Sequence, residues 1–218
     1  FRLPTVAAIN VSGHKYGLVF PGIGWVIWRS RSYIPEELIF HIDYLGGDMP
    51  TVGFNFSRSA APVIAQYYNF LRLGKEGYRK IFRGIRDNAD RVTSALEQSG
   101  RFHILSKPIS VPVVTFALKN IEKTKYTVYD VSENLRAKGW IVPAYAMAPK
   151  AENIRVLRIV IREDLSRDMC DMLLRDLFEV INKLEKAHPE AFRLDDEKRN
   201  SIQKTEARRH AKHGDHIS

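Results

Sequence analysis

Residues 9–17 read Ile9-Asn10-Val11-Ser12-Gly13-His14-Lys15-Tyr16-Gly17, an apolar run that ends in a glycine-flanked turn. Val6 to Val11 predicts a strand, and the turn signal Pro21-Gly22 precedes a second apolar strand, Gly24 to Trp28. Lys15 therefore lies in the connection between two short strands, where glycines let the backbone approach a bulky ligand. A sheltered lysine amine is a nucleophile toward carbonyl compounds. Taken alone, the turn favours the alternative, a solvated surface lysine.

Further candidate residues are suited to anions. Ser12 and His14 flank Lys15 and suit contacts to a phosphate or an aromatic ring. Asn55-Phe56-Ser57-Arg58 places a hydroxyl and a guanidinium just before a predicted helix, which is typical of an anion site at a helix N-terminus. Spacing alone favours the alternative for Ser57, a helix cap.

Arg158 lies within an apolar strand pattern, Val156 to Ile161. Alternation with period two places its side chain on the face of Val156 and Val160, opposite the other three apolar residues. A buried arginine requires an anion, which its planar group binds through two hydrogen bonds. Position alone leaves two alternatives open and favours them: a structural carboxylate partner, or an exposed edge.

Helical periodicity begins near residue 60, after a loop-like stretch from 33 to 56. A first apolar face ends at Gly74 and consists of Ile64, Tyr67, Tyr68 and Leu71. A second ends at Gly100 and consists of Ile81, Ile85, Ala89, Val92 and Leu96. Residues 101–190 then predict the order strand, helix, strand, strand, helix, which is a compact α/β unit. The predicted strands are Val111–Leu118, Trp140–Val142 and Val156–Ile161, and the helices are centred on 128–135 and 169–184.

Composition excludes several classes of function. The chain has 218 residues, 44% of them apolar, which suffices for one large domain or two small ones. It lacks an apolar run of roughly 18 residues, so no membrane span is expected. The formal charge of +9 is spread among acids, as in Lys75-Glu76, and no nucleic-acid-binding motif accompanies it. The single cysteine, Cys170, agrees with a reducing compartment such as the cytoplasm.

The two ends of the chain differ from its centre. Phe1-Arg2-Leu3-Pro4 runs directly into an apolar stretch without an initiator methionine, which predicts a chain cut from a larger protein. Beyond Asp195 the sequence is polar, and a mobile tail is expected. His210, His213 and His216 recur at every third position there. A solvated tail is favoured over a metal site or a pH switch, and we predict no metal site in this chain.

Three separated patterns resemble the C-terminal half of the glutamate decarboxylases, which belong to the group II pyridoxal-phosphate-dependent decarboxylases. They are the Lys15 stretch with Gly24-Trp25-Val26-Ile27-Trp28-Arg29; Tyr44-Leu45-Gly46-Gly47 and Asn55-Phe56-Ser57-Arg58, followed by Gln66-Tyr67-Tyr68 and residues 70–74; and Arg136-x-x-Gly139-Trp140-x-Val142-Pro143-Ala144 with Leu157-Arg158-Ile159. The resemblance covers roughly residues 5–200. The aromatic-amino-acid enzymes usually have Pro-His-Lys at the lysine, and the sphingosine-phosphate lyases have Thr-His-Lys. Ser-Gly-His-Lys, Gly-Trp-Val-Ile-Trp and Asn-Phe-Ser-Arg together favour a resemblance to the glutamate decarboxylases.

The resemblance implies an α/β fold of the aspartate-aminotransferase-like type, fold type I among pyridoxal-phosphate enzymes. This chain would hold the end of the large domain and the small C-terminal domain. The implied limits are 1–86 for the C-terminal part of the cofactor-binding domain, 87–193 for the small α/β domain and 194–218 for a flexible polar tail.

The resemblance also implies roles for individual residues. Lys15 carries pyridoxal 5'-phosphate, and Ser12 and His14 lie at its phosphate. Ser57, with Phe56 beside it, reaches the cofactor or substrate pocket of the neighbouring subunit. Tyr44 and Leu45 lie on a loop that reaches the partner's active site. Arg158 binds the α-carboxylate of the substrate.

The implied activity is decarboxylation of L-glutamate to 4-aminobutyrate and carbon dioxide, in a cytoplasmic homodimer or higher homo-oligomer with shared active sites. The family's partner for the cofactor ring nitrogen falls upstream of Phe1, so this chain alone is expected to be inactive. A lyase of the sphingosine-phosphate type and a non-catalytic dimer partner remain alternatives. The tail has no tryptophan, unlike the calmodulin-binding tails of plant-type members, which argues against calmodulin, although the basic run Arg208-Arg209-His210 leaves it open.

Overall fold

The computed structural model describes residues 1–43, 46–53, 57–106, 111–119 and 124–187. They form two compact units, and the chain passes from one to the other between Lys80 and Ile81. The functional domain limits implied by the resemblance stay predictions. Tyr44, Leu45, Phe56 and the histidine-containing tail lie outside the described residues.

The first unit contains two short hairpins and the first half of a long helix. Its elements are β1 (Ala8–Ser12), α1 (Gly13–Tyr16), β2 (Gly24–Trp28), β3 (Phe40–Ile42), β4 (Met49–Thr51) and the start of α2 (Ala61–Gln98), with single 3-10 turns at Arg31–Tyr33 and Glu36–Leu38. Strands β1 and β2 are antiparallel, as are β3 and β4. The two apolar strands predicted around Lys15 are thereby confirmed.

Two details of the first unit differ from the sequence-based expectation. The turn that carries Lys15 is a one-turn helix, α1, which continues directly from β1. The stretch expected to be loop contains the β3–β4 hairpin, in which His41 is opposite Pro50. Each of these strands has three residues, too few for an alternating pattern to emerge, and proline tends to exclude a strand prediction.

Helix α2 is interrupted at Gly74, whose φ of 55° and ψ of −171° are not helical. The apolar face predicted before this glycine exists but is exposed: the side chains of Ile64, Tyr67, Tyr68 and Leu71 are each at least 60% accessible. The face predicted after Gly74 enters the core of the second unit, where Ala89, Val92 and Leu96 are fully buried.

The second unit is a four-stranded antiparallel sheet with helices packed on it. Its elements after α2 are β5 (Phe102–Ser106), β6 (Val113–Leu118), α3 (Val128–Ala137), β7 (Ala144–Ala146), β8 (Arg155–Val160) and α4 (Arg167–Lys186). The strand order is β5-β6-β8-β7, so that β8 lies between two neighbours. Within the ranges described above, no helix has both the length and the apolar character needed to cross a bilayer.

Side chains from one face of this sheet meet the helices in a single apolar core. Leu157 and Ile159 of β8 join Phe116 of β6 there, and Leu177 of α4 covers them. Phe116 also packs edge to face on Phe102, with ring centroids 5.1 Å apart. Helix α4 begins at Ser166, whose hydroxyl accepts a hydrogen bond from the Met169 amide at 3.2 Å.

The predicted strand at Trp140–Val142 is wrong, because these residues close helix α3 instead. The Trp140 amide donates to the Leu135 carbonyl at 3.0 Å and the Gly139 amide to Arg136 at 2.9 Å, with Gly139 at φ 89°. This pair of bonds is a Schellman closure. The strand begins only after Pro143. Strand β5 was not anticipated, since its five residues mix polar and apolar side chains.

Candidate functional site

Lys15 lies in helix α1, between the paired strands β1 and β2. The side chains of Lys15 and His14 are exposed, whereas Ser12 is half-buried at the end of β1. No hydrogen bond or ion pair joins Lys15 to another residue of the described ranges. Its amine is therefore free of protein partners there, while the adjacent Ser12 and His14 belong to the same turn.

The N-terminal end of α1 is fixed against the start of β2. The buried Gly13 donates its amide hydrogen to the Ile23 carbonyl at 3.0 Å. A Cβ atom on Gly13 would lie 2.6 Å from Ile23 Cγ2 and 3.0 Å from the Ile23 carbonyl oxygen. Only glycine fits this approach, so a requirement for close packing explains the residue two positions before Lys15.

The C-terminal end of α1 is fixed by side chains from α2. The Gly17 carbonyl accepts hydrogen bonds from Gln66 Nε2 at 3.0 Å and from the Tyr78 hydroxyl at 2.9 Å. Asn69 Nδ2 donates to the next carbonyl, that of Leu18, at 2.7 Å. Gly17 also has to be glycine, because a Cβ atom there would lie 2.5 Å from the Gly13 carbonyl oxygen.

None of these three polar residues was predicted as a site residue from the sequence. Gln66 and Asn69 are three residues apart, so they share one face of α2 with the packing residues around them. Gln66 is 2% exposed, which is unusual for its residue type. Two amide side chains at this spacing within an apolar stretch were the only available signal, and it does not identify their partner.

Ser57 is exposed and has a left-handed backbone, with φ at 53°. The helix-capping alternative for Ser57 is not realised, because the Ala61 amide donates to the hydroxyl of Ser59 at 3.2 Å instead. The Ser57 hydroxyl is thus not engaged at the start of α2. Its neighbour Phe56, and Tyr44 and Leu45 of the preceding loop, lie outside the described residues.

Arg158 lies on the sheet face opposite Leu157 and Ile159, as alternation predicted, but it is exposed and not buried. It belongs to the inner strand β8 and pairs with Thr115 of β6, so it does not lie on an edge strand. Its Cζ atom lies 5.7 Å from the ring centroid of Tyr145. No carboxylate of the described ranges forms an ion pair with it. Neither alternative raised for Arg158 is realised in this part of the chain, and its guanidinium remains available to an anion.

The profile of the pyridoxal-dependent decarboxylase conserved domain matches residues 1–119, which include the Lys15 turn and its supporting residues. The chain belongs to the pyridoxal-dependent decarboxylase family. It is 52% identical over 185 residues to glutamate decarboxylase 5 of Arabidopsis thaliana, a match that covers 85% of this chain and 37% of that protein. The chain thus spans well under half of the length of this relative.

Solved structures show the same decarboxylase fold. The glutamate decarboxylase of Lactobacillus brevis superposes with a TM-score of 0.81 at 42% identity, over 86% of this chain and 43% of that one. A sphingosine-1-phosphate lyase of Burkholderia pseudomallei superposes with a TM-score of 0.70 at 23% identity, over 94% of this chain and 42% of that one, which shows the fold alone. The fold type I architecture implied by the sequence resemblance is confirmed.

The residues of this chain fit the cofactor that its family uses, pyridoxal phosphate. An aldehyde cofactor requires a lysine amine without a competing partner, and Lys15 has no partner in the described ranges. A phosphate requires nearby hydrogen-bond donors, and Ser12 and His14, which flank Lys15 in sequence, have side chains that can donate. No three His, Cys, Asp or Glu side chains of the described residues are grouped so as to hold a metal ion.

Proposed function

We propose that the full-length protein decarboxylates L-glutamate to 4-aminobutyrate and carbon dioxide, with pyridoxal 5'-phosphate held by Lys15. One observation carries the proposal: Lys15 has a free amine on a turn that is fixed at both ends, within a chain of this family. The 52% identity to a protein named glutamate decarboxylase supports the choice of substrate.

Different residues of the chain bind the cofactor and the substrate. Lys15 holds the cofactor, and Ser12 and His14 contact its phosphate. The cofactor, when bound, supplies an electron sink for the bond to the departing carboxylate. Arg158 binds the α-carboxylate through its planar, doubly donating guanidinium and so selects the bond that breaks.

A homodimer with shared active sites is part of the proposal. Ser57, with Phe56, would reach the neighbouring subunit's pocket, and Tyr44 and Leu45 would approach it from their loop. The exposed position of Ser57, which has a left-handed backbone, supports this role. A cytoplasmic location is proposed with it, since Cys170 is a free and buried thiol.

The lyase alternative has weaker support. The similarity to the sphingosine-1-phosphate lyase is 23% in sequence and concerns the fold alone. A phosphorylated sphingoid base also differs from glutamate in having no α-carboxylate for Arg158 to bind. Substrate turnover therefore separates the two candidates.

The test compares the full-length wild type with Lys15→Ala and with Lys80→Ala, which removes another exposed lysine of the first unit. We expect the wild type and Lys80→Ala to show the visible absorbance of a lysine-bound cofactor and to release carbon dioxide from glutamate. Lys15→Ala should do neither, and borohydride reduction of the wild type should leave the cofactor's mass on the peptide containing Lys15. A cofactor band without release from glutamate would reject the substrate, and a band in Lys15→Ala would reject the site.

A further inference from the structure

We propose that Gln66 and Tyr78 are positioning residues for Lys15, and that the backbone break at Gly74 exists to bring both side chains to the Gly17 carbonyl. The inference rests on the proposed function in one respect, the role of Lys15 as the cofactor lysine. The hydrogen bonds that carry it do not depend on that role.

Helix α1 needs support from outside because it has four residues. A helix of one turn has no stability of its own, and its terminal carbonyls lack partners within the helix. The Gly17 carbonyl obtains two donors, Gln66 Nε2 and the Tyr78 hydroxyl. Leu18 follows with a positive φ of 58°, an unfavourable conformation for leucine, and Asn69 holds its carbonyl at 2.7 Å. The path of the chain immediately after Lys15 is thus set by α2.

A straight helix would not bring Gln66 and Tyr78 together. Twelve residues separate them, which corresponds to about 18 Å along a regular helix axis. Yet Gln66 Nε2 and the Tyr78 hydroxyl are 3.2 Å apart, and both contact one carbonyl oxygen. The break at Gly74 explains how residues twelve apart come into contact, because the helix changes direction between them.

Gly74 adopts a conformation that is essentially restricted to glycine, with φ 55° and ψ −171°. A Cβ atom added there would meet no atom within 4 Å. Substitution by alanine is therefore opposed by backbone conformation and not by a clash. Gly74→Ala should therefore change the direction of helix α2 without creating a steric clash.

The protonation of Tyr78 and the orientation of the Gln66 amide both allow these side chains to donate to the Gly17 carbonyl. Burial raises the pKa of Tyr78, an effect that the Gln66 hydrogen bond partly offsets, so the phenol remains a donor at neutral pH. Gln66 Oε1 is buried and has no hydrogen-bond partner among the described residues. This orientation of the Gln66 amide is favoured because its nitrogen donates to both the Gly17 carbonyl and the Tyr78 hydroxyl. The reverse orientation would place Gln66 Oε1 against the Gly17 carbonyl oxygen.

Fixing the backbone around Lys15 should affect the rate at which its amine bonds to the cofactor. A lysine that bonds to and leaves a cofactor in each cycle must return to the same place, and a fixed backbone removes the search that a mobile turn would require. The side chain of Lys15 stays free, while residues 13–18 are held at both ends. We therefore expect Gln66 and Tyr78 to affect cofactor attachment and kcat more than substrate KM.

The first test is amide hydrogen exchange on the full-length protein without cofactor, read by mass spectrometry for the peptide covering residues 14–19. We expect Gly74→Ala, Gln66→Met and Tyr78→Phe each to raise exchange in this peptide about tenfold, the usual effect of one lost hydrogen bond. Gly84→Ala is the matched control, because Gly84 is an exposed glycine of the same helix with open space around it and no positive φ. It should leave the peptide unchanged.

Two exchange results would overturn the inference. Unchanged exchange in Tyr78→Phe and Gln66→Met would mean that the turn holds itself. A rise of similar size throughout the chain in Tyr78→Phe, which removes a single oxygen atom, would mean that the bond supports the whole fold and not the Lys15 turn. Gly74→Ala behaving like Gly84→Ala would reject the role of the helix break.

The second test measures cofactor attachment. Pyridoxal phosphate added to the apoprotein should bond to Lys15 about tenfold more slowly in Tyr78→Phe than in the wild type or in Gly84→Ala, with kcat lowered and the KM for glutamate little changed. An equal rate in Tyr78→Phe would contradict positioning. If the wild type bonds no cofactor at Lys15, the proposed function fails, while the exchange experiment still decides whether Gln66 and Tyr78 fix the turn.

Discussion

At the scale of single residues, two arginines of β8 offer a direct comparison. Arg158 and Arg155 are three positions apart, both exposed, and each lies over a tyrosine ring, at 5.7 Å for Tyr145 and 5.9 Å for Tyr129. Three positions along a strand place them on opposite sheet faces. They share chemistry and a cation–π contact, so a difference in their functional effects would come from location alone.

We expect Arg158→Leu in the full-length protein to lower kcat/KM for glutamate by about 100-fold or more, because a bidentate, charge-assisted contact to the α-carboxylate is lost. Arg155→Leu should remain within about twofold of the wild type. Steady-state decarboxylation kinetics measure both. Equal losses in the two variants would show that Arg158 has no special contact with substrate.

Tyr126 gives a residue-scale prediction about pH. Burial, reinforced by Glu185, raises the pKa of Tyr126 from 10.0 to about 12. The folded state then keeps a proton that the unfolded chain loses above pH 10, so the stabilisation is complete below pH 10 and disappears as the pH approaches 12. The free energy of unfolding should fall by about 2–3 kcal/mol over this pH range.

Denaturant unfolding of the wild type and Tyr126→Phe between pH 8 and 12 measures this effect. Any advantage in stability that the wild-type phenol gives at pH 8 should be lost above about pH 10, because the buried phenol resists ionisation. Tyr67→Phe, at a 64% exposed position, is the control. A wild-type advantage that persists to pH 12 would contradict the argument.

Residue-scale prediction from sequence succeeded where the cause is local. The glycine-flanked lysine and the alternating strand around Arg158 are short patterns, and the structure places Lys15 between two strands and Arg158 on the sheet face that alternation predicted. Gln66 and Tyr78 were not predicted as site residues, because their partner lies 49 and 61 residues earlier in the chain. No local pattern encodes a contact that depends on a change of helix direction.

At the scale of elements, α4 shows how one helix divides between core and solvent. Leu177 is fully buried, whereas Met172 is 46% exposed on the same helix. Leu177→Ala should lower the free energy of unfolding by about 2–5 kcal/mol, since it removes apolar contacts and leaves a cavity. Met172→Ala should cost less than about 1 kcal/mol. Chemical denaturation gives both values, and similar costs would mean that this core relaxes around the lost side chain.

Element boundaries depended on signals of different strength. The helix from 167 to 186 and the buried face of α2 follow from long runs of regular apolar spacing. The strand predicted at Trp140–Val142 failed because apolar composition does not reveal a backbone closure at Gly139. The β3–β4 hairpin was missed because each of its strands has three residues, and β5 was missed because its five residues mix polar and apolar side chains.

At the scale of the molecule, the first unit exposes the apolar face of α2 formed by Ile64, Tyr67, Tyr68 and Leu71. A contiguous apolar surface of this kind favours association. We expect the 218-residue chain to self-associate with rising concentration, and Tyr67→Lys with Leu71→Lys to reduce the effect. The matched control, Ser94→Lys with Gln98→Lys, adds the same charge at the same spacing on exposed positions of the helix. Sedimentation velocity distinguishes them, and equal reductions would assign the effect to charge alone.

Sequence patterns carried less information at this scale. The resemblance specified the fold type, which the superposition on a glutamate decarboxylase confirms at a TM-score of 0.81. The exposure of the first α2 face was not foreseen, because amphipathic spacing indicates that a face is apolar but does not indicate what covers it.

The exposed position of Arg158 has a consequence for the history of such enzymes. Its side chain stands outside the core, while Leu157 and Ile159 beside it are buried. Replacing it opens no cavity, so drift at this position is nearly free of the destabilisation that usually limits adaptation. If Arg158 binds the substrate as proposed, a lineage can exchange that contact while its ancestral scaffold stays intact, and new specificities become accessible in single mutational steps.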